Sequence, residues 1–201
     1  MNGAGLQGVG AHGGNRPRAD YLFLAIASVA ILALDFATKA LARRHLPGFL
    51  DSTDLGAHVT FTLKENPAGA FGFMDGASQA LNRVVFSLLS LIAIIVVVWL
   101  YLRLSPQMSL LKWGLSLVLG GAIGNLVDRL RFGHVVDFVD VHVLFRGTER
   151  HAAPFNLADV AITIGVGLLA LDRLRARRRS SGAPAAPDAD RRASGATQPT
   201  P

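Results

Sequence analysis

Cysteine is absent from the 201-residue sequence, and charged residues are scarce. The lack of Cys excludes disulfide bonds, a thiolate nucleophile and a cysteine-ligated metal ion. Only 17% of the residues are Asp, Glu, Lys or Arg, whereas about 25% is usual in soluble domains. Hydrophobic residues make up 51% of the chain, and they are concentrated in long segments. This distribution predicts a membrane protein, because a helix needs about 20 consecutive apolar residues to cross a bilayer.

Four hydrophobic segments predict an all-α membrane protein with four transmembrane helices, at about 21–42, 84–102, 108–128 and 155–172. The second segment has no charged residue from Val84 to Leu102, so it predicts a spanning helix on its own. The others carry polar residues, which a bilayer tolerates only inside a protein-lined cavity. A cleaved signal peptide is the alternative for the first segment, but Asp35 and Lys39 interrupt its apolar run.

Residues 1–18 and 176–201 are rich in small, polar and basic residues and predict disordered tails on either side of a membrane domain at 19–175. Most Lys and Arg residues fall on the side that holds both tails, which predicts cytoplasmic termini. This pattern explains the net charge of +6 without a nucleic-acid partner. The loop 47–83 then lies outside, where the alternation from His58 to Lys64 predicts a strand in a small β-rich flap.

Polar residues from three predicted helices, and from the connection between the last two, reach one depth in this topology. They lie near the extracytoplasmic end of the bundle: Asp35, Lys39, Asn125, Asp128, Arg129, Asp137, Asn156 and Asp159. Carboxylates inside a membrane are costly and usually mark a functional site. Their convergence predicts a site close to the outer membrane surface.

Each of these residues also has an explanation that requires no site. Asp35 and Lys39 are four residues apart and can neutralise each other on one helix face. Asn156 and Asp159 have the spacing of a helix N-cap and its partner. A proton-coupled transporter or a structural membrane protein therefore stays open as an alternative at this point. Transporters, however, usually have internal repeats and sites at the midplane, and neither is evident here.

Several neighbouring residues have simpler interpretations. Asp128 and Arg129 can form a charge pair at the membrane interface, and Asp140 is interpreted as a solvated loop residue. Three histidines flank the region without the ligand spacing of a zinc site, so no metal is predicted: His134, His142 and His151. Three glycines in the third segment predict close helix packing: Gly120, Gly121 and Gly124.

Four motifs occur in a fixed order between residues 21 and 175: residues 35–39 (DFATK), 66–71 (NPAGAF), 120–129 (GGAIGNLVDR) with 133–138 (GHVVDF), and 155–159 (FNLAD). Together they resemble the motifs of the lipoprotein signal peptidases, also called signal peptidase II, which are aspartic peptidases of bacterial inner membranes. One motif departs from the family pattern N-x-G-A-A-F, because the Gly after Asn66 is shifted by one position.

The resemblance implies an aspartic endopeptidase whose catalytic pair is Asp137 and Asp159. It implies substrate-binding or supporting roles for six further residues: Asp35, Lys39, Asn66, Asn125, Arg129 and Asn156. The implied substrate is a diacylglyceryl-modified prolipoprotein, cut just before its lipidated Cys, and no cofactor or metal is implied. We therefore expect a monomeric protein of the bacterial inner membrane, in contact with membrane lipids, with its site near the periplasmic face.

Overall fold

The computed structural model of the chain describes residues 18–46, 53–54, 58–67, 78–104, 109–145 and 148–181. This part of the chain forms a bundle of long helices with a small sheet at one end. The helices are α1 (Arg18–His45), α2 (Gln79–Arg103), α3 (Ser109–Phe132) and α4 (Leu157–Ser181). The strands are β1 (Thr53–Asp54), β2 (Val59–Asn66), β3 (Val135–Phe145) and β4 (Thr148–His151). The predicted helical architecture is confirmed.

Helices α1, α2 and α3 are long and apolar enough to cross a membrane. Even the shortest, α3, has 24 residues and extends about 36 Å at a rise of 1.5 Å per residue, which exceeds a hydrocarbon core of about 30 Å. Helix α4 has 25 residues, but its apolar stretch is short because Asp172 and Arg173 follow Leu171 directly. The described residues therefore contain three candidate spans by length and composition, and the fourth stays a prediction.

Helix α2 presents an exposed face of large apolar side chains, as expected of a helix that faces lipid. The exposed residues recur every three or four positions along this face: Leu88, Ile92, Ile95 and Trp99. In water such a continuous apolar face would be an aggregation hazard. The pattern supports the membrane location that the composition predicts.

Helix α3 lies at the centre of the bundle and packs against α1, α2 and α4. A Cβ atom at Gly120 would lie 2.7 Å from the carbonyl oxygen of Ser28 in α1, and one at Gly121 would lie 2.6 Å from that of Ala158 in α4. Side chains do not fit at such distances, so glycine is needed for these backbones to meet. The predicted close helix packing is confirmed.

The strands form an antiparallel sheet in the order β1-β2-β3-β4. Strand β2 confirms the strand predicted at residues 58–64. No strand was predicted after α3, although the valines at positions 135, 139, 141 and 143 carry the two-residue period of β3. Residues 47–52, 55–57 and 68–77 lie outside the described residues, as does most of the predicted flap.

Two predicted boundaries are wrong. Helix α2 begins at Gln79, five residues before the predicted start at Val84, because the Ser78 hydroxyl oxygen caps it by accepting the N–H of Leu81 at 3.2 Å. Helix α4 continues to Ser181, so disorder is wrong for residues 176–181, where Arg and Ala favour helix. Residues 1–17 and 182–201, which make up the rest of the predicted tails, lie outside the described residues.

Candidate active site

The residues singled out in the sequence meet where the sheet joins the bundle. They come from five elements and the residue that precedes α4: Asp35 and Lys39 (α1), Asn66 (β2), Asn125 and Arg129 (α3), Asp137 (β3), Asn156, and Asp159 (α4). Six of the eight are buried, whereas Asn66 and Asp159 are partly exposed. So many buried polar groups are tolerated only if they bind one another, and their hydrogen bonds form a connected network.

Asn156 caps the first turn of α4 and holds Asp159 in place. The Asn156 side-chain oxygen accepts the backbone N–H of Asp159 at 3.0 Å, and the Asp159 carboxylate accepts the backbone N–H of Asn156 at 3.2 Å. This reciprocal pair is a capping box. The predicted cap is confirmed, but it is not the only role of Asn156, whose side-chain amide also donates to Asp137 at 2.7 Å.

Asp137 is 1% exposed and is held through both carboxyl oxygens. One oxygen accepts the side-chain N–H of Asn156, and the other accepts that of Asn66 at 2.8 Å. Burial raises the pKa of Asp137 from 3.8 to about 7, and the negative charge of Asp159 acts in the same direction. The hydrogen bonds from Asn66 and Asn156 favour the ionised form and limit this rise. A carboxyl with this pKa can hold a proton near neutral pH.

Asn125 in α3 connects the carboxylates to the cation of α1. Its side-chain N–H donates to Asp159 at 2.8 Å. Its side-chain oxygen accepts Lys39 at 3.1 Å and Asn156 at 3.3 Å. An amide suits this position because it can donate and accept without adding charge.

Lys39 is the buried cation beneath the site. Its ammonium nitrogen lies 2.8 Å from carboxylate oxygens of both Asp35 and Asp128. Asp35 also accepts the backbone N–H of Ala158 at 3.0 Å, and Asp128 accepts that of Val136 at 3.2 Å. The mutual neutralisation of Asp35 and Lys39 is therefore real, but it belongs to a larger network that joins α1, α3, α4 and β3.

Arg129 follows Asp128 in α3 and is 8% exposed. Its guanidinium donates to the Ser90 hydroxyl at 3.2 Å and to the carbonyl oxygen of Asn125 at 3.3 Å. Since Asp128 pairs with Lys39, the interpretation of Asp128 and Arg129 as a surface charge pair is wrong. Ser90 was not singled out, because a lone Ser in an apolar helix carries no sequence signal.

A cavity of about 650 Å³ opens beside the two aspartates, a size within the range of small-molecule sites. Polar lining residues form one part of it: Asn66, Asn125, Arg129, Asp137 and Asp159. Apolar residues before and along α4 form the rest, including Phe155, Val160 and Ile164. Because Ile164 is 52% exposed, the cavity joins a polar end to an exposed apolar surface of α4.

Asp140 lies near this cavity but does not line it, and its interpretation as a solvated residue is wrong. It is 6% exposed, and its carboxylate lies 2.9 Å from the Nδ1 atom of His151. The Nε2 atom of His134 lies 3.6 Å from the Oε1 atom of Glu65. Within the described residues, no three His, Asp or Glu side chains are placed to share a metal ion.

Asp137 and Asp159 are each hydrogen-bonded to Asn156 and line one cavity, an arrangement typical of an enzyme site. Two solved structures with a similar fold are described as bacterial membrane enzymes. One, solved at 2.3 Å by the in meso method, has a TM-score of 0.66 and 24% identity, covering 81% of this chain and 93% of the other. This likeness concerns the fold alone. A second, at 1.9 Å, has a TM-score of 0.62 and 26% identity, covering 75% and 92%.

The family model described as signal peptidase (SPase) II matches residues 27–175. The lipoprotein signal peptidase of Desulforapulum autotrophicum is 40% identical over 145 residues, which cover 71% of this chain and 86% of that protein. That of Pseudomonas putida is 40% identical over 154 residues, covering 75% and 86%. The chain belongs to the signal peptidase II family and is a peptidase. The transporter interpretation has no support from these similarities.

Proposed function

We propose that this protein is an aspartic endopeptidase that removes the signal peptide from diacylglyceryl-modified prolipoproteins, cutting before the lipidated Cys. The proposal rests mainly on Asp137 and Asp159, which line one cavity and both bind Asn156. Two carboxyls held close in a site of low dielectric do not both ionise at neutral pH, so one of them keeps a proton. This is the protonation state that acid–base hydrolysis of a peptide bond requires.

In this mechanism Asp137 is the acid and Asp159 is the base. Asp137 is buried, and its pKa of about 7 keeps it mostly protonated in mildly acidic conditions and about half protonated at pH 7. Asp159 lies in the first turn of α4, accepts the N–H donors of Asn125 and Asn156, and is more exposed to the cavity than Asp137. The two environments therefore separate the roles of the two side chains.

The reaction needs no covalent enzyme intermediate. Asp159 takes a proton from a water molecule while the water oxygen attacks the scissile carbonyl carbon, and Asp137 donates a hydrogen bond to the carbonyl oxygen. As the tetrahedral intermediate breaks its C–N bond, Asp159 passes the proton that it took from water to the leaving nitrogen, which becomes the amino terminus of the lipidated Cys, and Asp159 is again a carboxylate. Arg129, at the wall of the cavity, is suited to bind a substrate carbonyl.

The shape of the cavity fits a substrate with lipid chains. Its polar end admits water and the peptide bond, and its apolar wall along α4 continues to the surface at Ile164. Acyl chains can therefore stay in the bilayer while the bond before the lipidated Cys reaches the aspartates. A site deep within the bundle would not satisfy both requirements.

We further propose that α4 is a fourth transmembrane helix, with both termini in the cytoplasm of a bacterium and the site at the periplasmic face of the inner membrane. Helix α4 packs along α3, which is long and apolar enough to cross a membrane. Its far end carries four exposed arginines, as expected on the cytoplasmic side: Arg173, Arg175, Arg177 and Arg178. A monomer suffices, because one chain supplies all eight site residues.

The test incubates a purified lipidated prolipoprotein with the Asp137→Asn variant or the Asp159→Asn variant. The quantity measured is the amount of signal peptide released. Each substitution should abolish cleavage, because one removes the acid and the other removes the base. Asp172→Asn makes the same chemical change on α4 about 20 Å further along the helix axis, and this variant should cleave normally. Normal processing by either dyad variant would refute the assignment of the catalytic pair.

A further inference from the structure

The chain between the two aspartates runs through one hairpin. It leaves Asp137 along β3, turns back through β4, and enters α4 at Asn156. Because this hairpin is the segment that connects Asp137 to Asn156 and Asp159, its closure contributes to how these residues meet. Any contact that fixes the hairpin therefore acts on the geometry of the pair.

The backbone closes the base of the hairpin next to the site. Val139 and Phe155 exchange two hydrogen bonds of 3.0 Å, and the N–H of Ala152 donates to the carbonyl oxygen of Val141 at 2.7 Å. Further along, His142 of β3 is paired with His151 of β4. The residues after β4, from Ala152 to Phe155, form part of the cavity wall. The position of β4 therefore also shapes the cavity.

One side-chain pair adds to this backbone closure. Asp140 of β3 lies three residues after Asp137, and since strand side chains alternate, the two carboxyls lie on opposite faces. The Asp140 carboxylate binds His151 of β4 at 2.9 Å, and its Oδ1 atom is buried without a hydrogen-bond partner among the described residues. His151 is thus the side chain that compensates this buried group.

We propose that Asp140 and His151 are positioning residues, which hold β4 against β3 so that Asp137 lies at the correct distance from Asn156 and Asp159. This inference rests on the proposed function, because it concerns the geometry of the same carboxyl pair. Neither residue lines the cavity, so neither has direct access to the substrate. Their effect on hydrolysis passes entirely through the hairpin.

The chemistry of the Asp140–His151 pair explains why its loss would change the geometry of the active site. Without His151, the Asp140 carboxylate would be buried and uncompensated, which is unfavourable in the closed hairpin. The hairpin would relieve this cost by opening or shifting. A displacement of about 1 Å in a catalytic group can cost about 100-fold in rate, so even a small shift would be measurable.

The first experiment measures kcat and KM for Asp140→Asn and His151→Ala with a lipidated prolipoprotein peptide. We expect kcat to fall about 10- to 100-fold with little change in KM, because the reacting groups are misplaced while the cavity remains. His151→Asn retains an N–H donor near the position of Nδ1 and should restore most of the activity. Arg150→Gln, at an exposed neighbouring position on β4, should behave as the unaltered protein.

The second experiment replaces the side-chain pair by a covalent link. Since the chain has no Cys, the triple variant Asp140→Asn/His142→Cys/His151→Cys would carry a single thiol pair at directly opposed strand positions. Opposed antiparallel residues have Cα atoms about 4.5–5.5 Å apart, which suits a disulfide. The thioether of the lipidated substrate is unaffected by reductant, so both redox states can be assayed.

If the pair acts through the hairpin, the oxidised triple variant should recover most of the kcat that the reduced form lacks. Equal and low activity in both redox states would overturn the proposal, as would full activity of Asp140→Asn and His151→Ala. Asp137→Asn is assayed in parallel. Normal cleavage by that variant would instead defeat the catalytic assignment, so the two failures are distinguishable.

Discussion

The rate of cleavage should fall as the pH rises through about 7. The folded-state pKa of Asp137 is raised from 3.8 to about 7 by burial, so this side chain is protonated below that value and ionised above it. Only the protonated form donates a hydrogen bond to the scissile carbonyl. With an apparent pKa of about 7, roughly half of the molecules keep the proton at pH 7 and about one tenth keep it at pH 8, so kcat/KM should drop about tenfold between the acidic plateau and pH 8.

The measurement is kcat/KM of the purified enzyme in detergent micelles, with a lipidated fluorogenic peptide, from about pH 5.5 to about pH 9. Asn66→Ala provides the matched variant. The hydrogen bond from Asn66 lowers the pKa of Asp137, so its removal should move the basic limb to higher pH even if the maximum rate also declines. A flat profile across this range, or a downward shift of the limb in Asn66→Ala, would refute the assignment of Asp137 as the acid.

Two further predictions concern stability, measured by thermal unfolding in detergent. A Cβ at Gly124 would lie 2.5 Å from an Asp35 oxygen, whereas one at Gly167 meets nothing within 4 Å. Gly124→Ala should therefore lower the free energy of unfolding by about 1–3 kcal/mol, and Gly167→Ala should leave it essentially unchanged. Equal effects of the two substitutions would contradict the helix packing. Lys39→Met should lower the free energy of unfolding by about 3–5 kcal/mol, because it leaves Asp35 and Asp128 buried without their cation. Unaltered stability would show that this cation is not required.

The parts of the molecule with a strong local signal could be predicted from the sequence. Uninterrupted apolar runs indicate α2, and polar residues at matching depths indicate a shared site, since carboxylates such as Asp35 are too costly to leave in lipid. The cap formed by Asn156 and Asp159 follows from their spacing. The choice of Asp137 over other carboxylates came from the family resemblance, because spacing alone does not distinguish it from Asp140.

The features that could not be predicted depend on contacts between distant residues. Strand β3 was missed because its partner β2 is far away in the chain, and strand pairing of this kind leaves little local trace beyond alternating valines. Asp140 was misinterpreted because its contact with His151, eleven residues further on, forms only when β4 folds back against β3. The contact of Ser90 with Arg129 joins two helices at a position where many side chains would be compatible with a spanning segment.

The hydrogen bond from Ala158 to Asp35 joins residues that are 123 positions apart in the chain. A ribosome delivers the first of these to the membrane long before the second. Until the start of α4 has been synthesised, the nascent protein lacks Asn156 and Asp159, and Asp137 lacks the hydrogen bond from Asn156. If Asp137 and Asp159 are the catalytic pair, as proposed, the order of synthesis completes the site only when the start of α4 has been made.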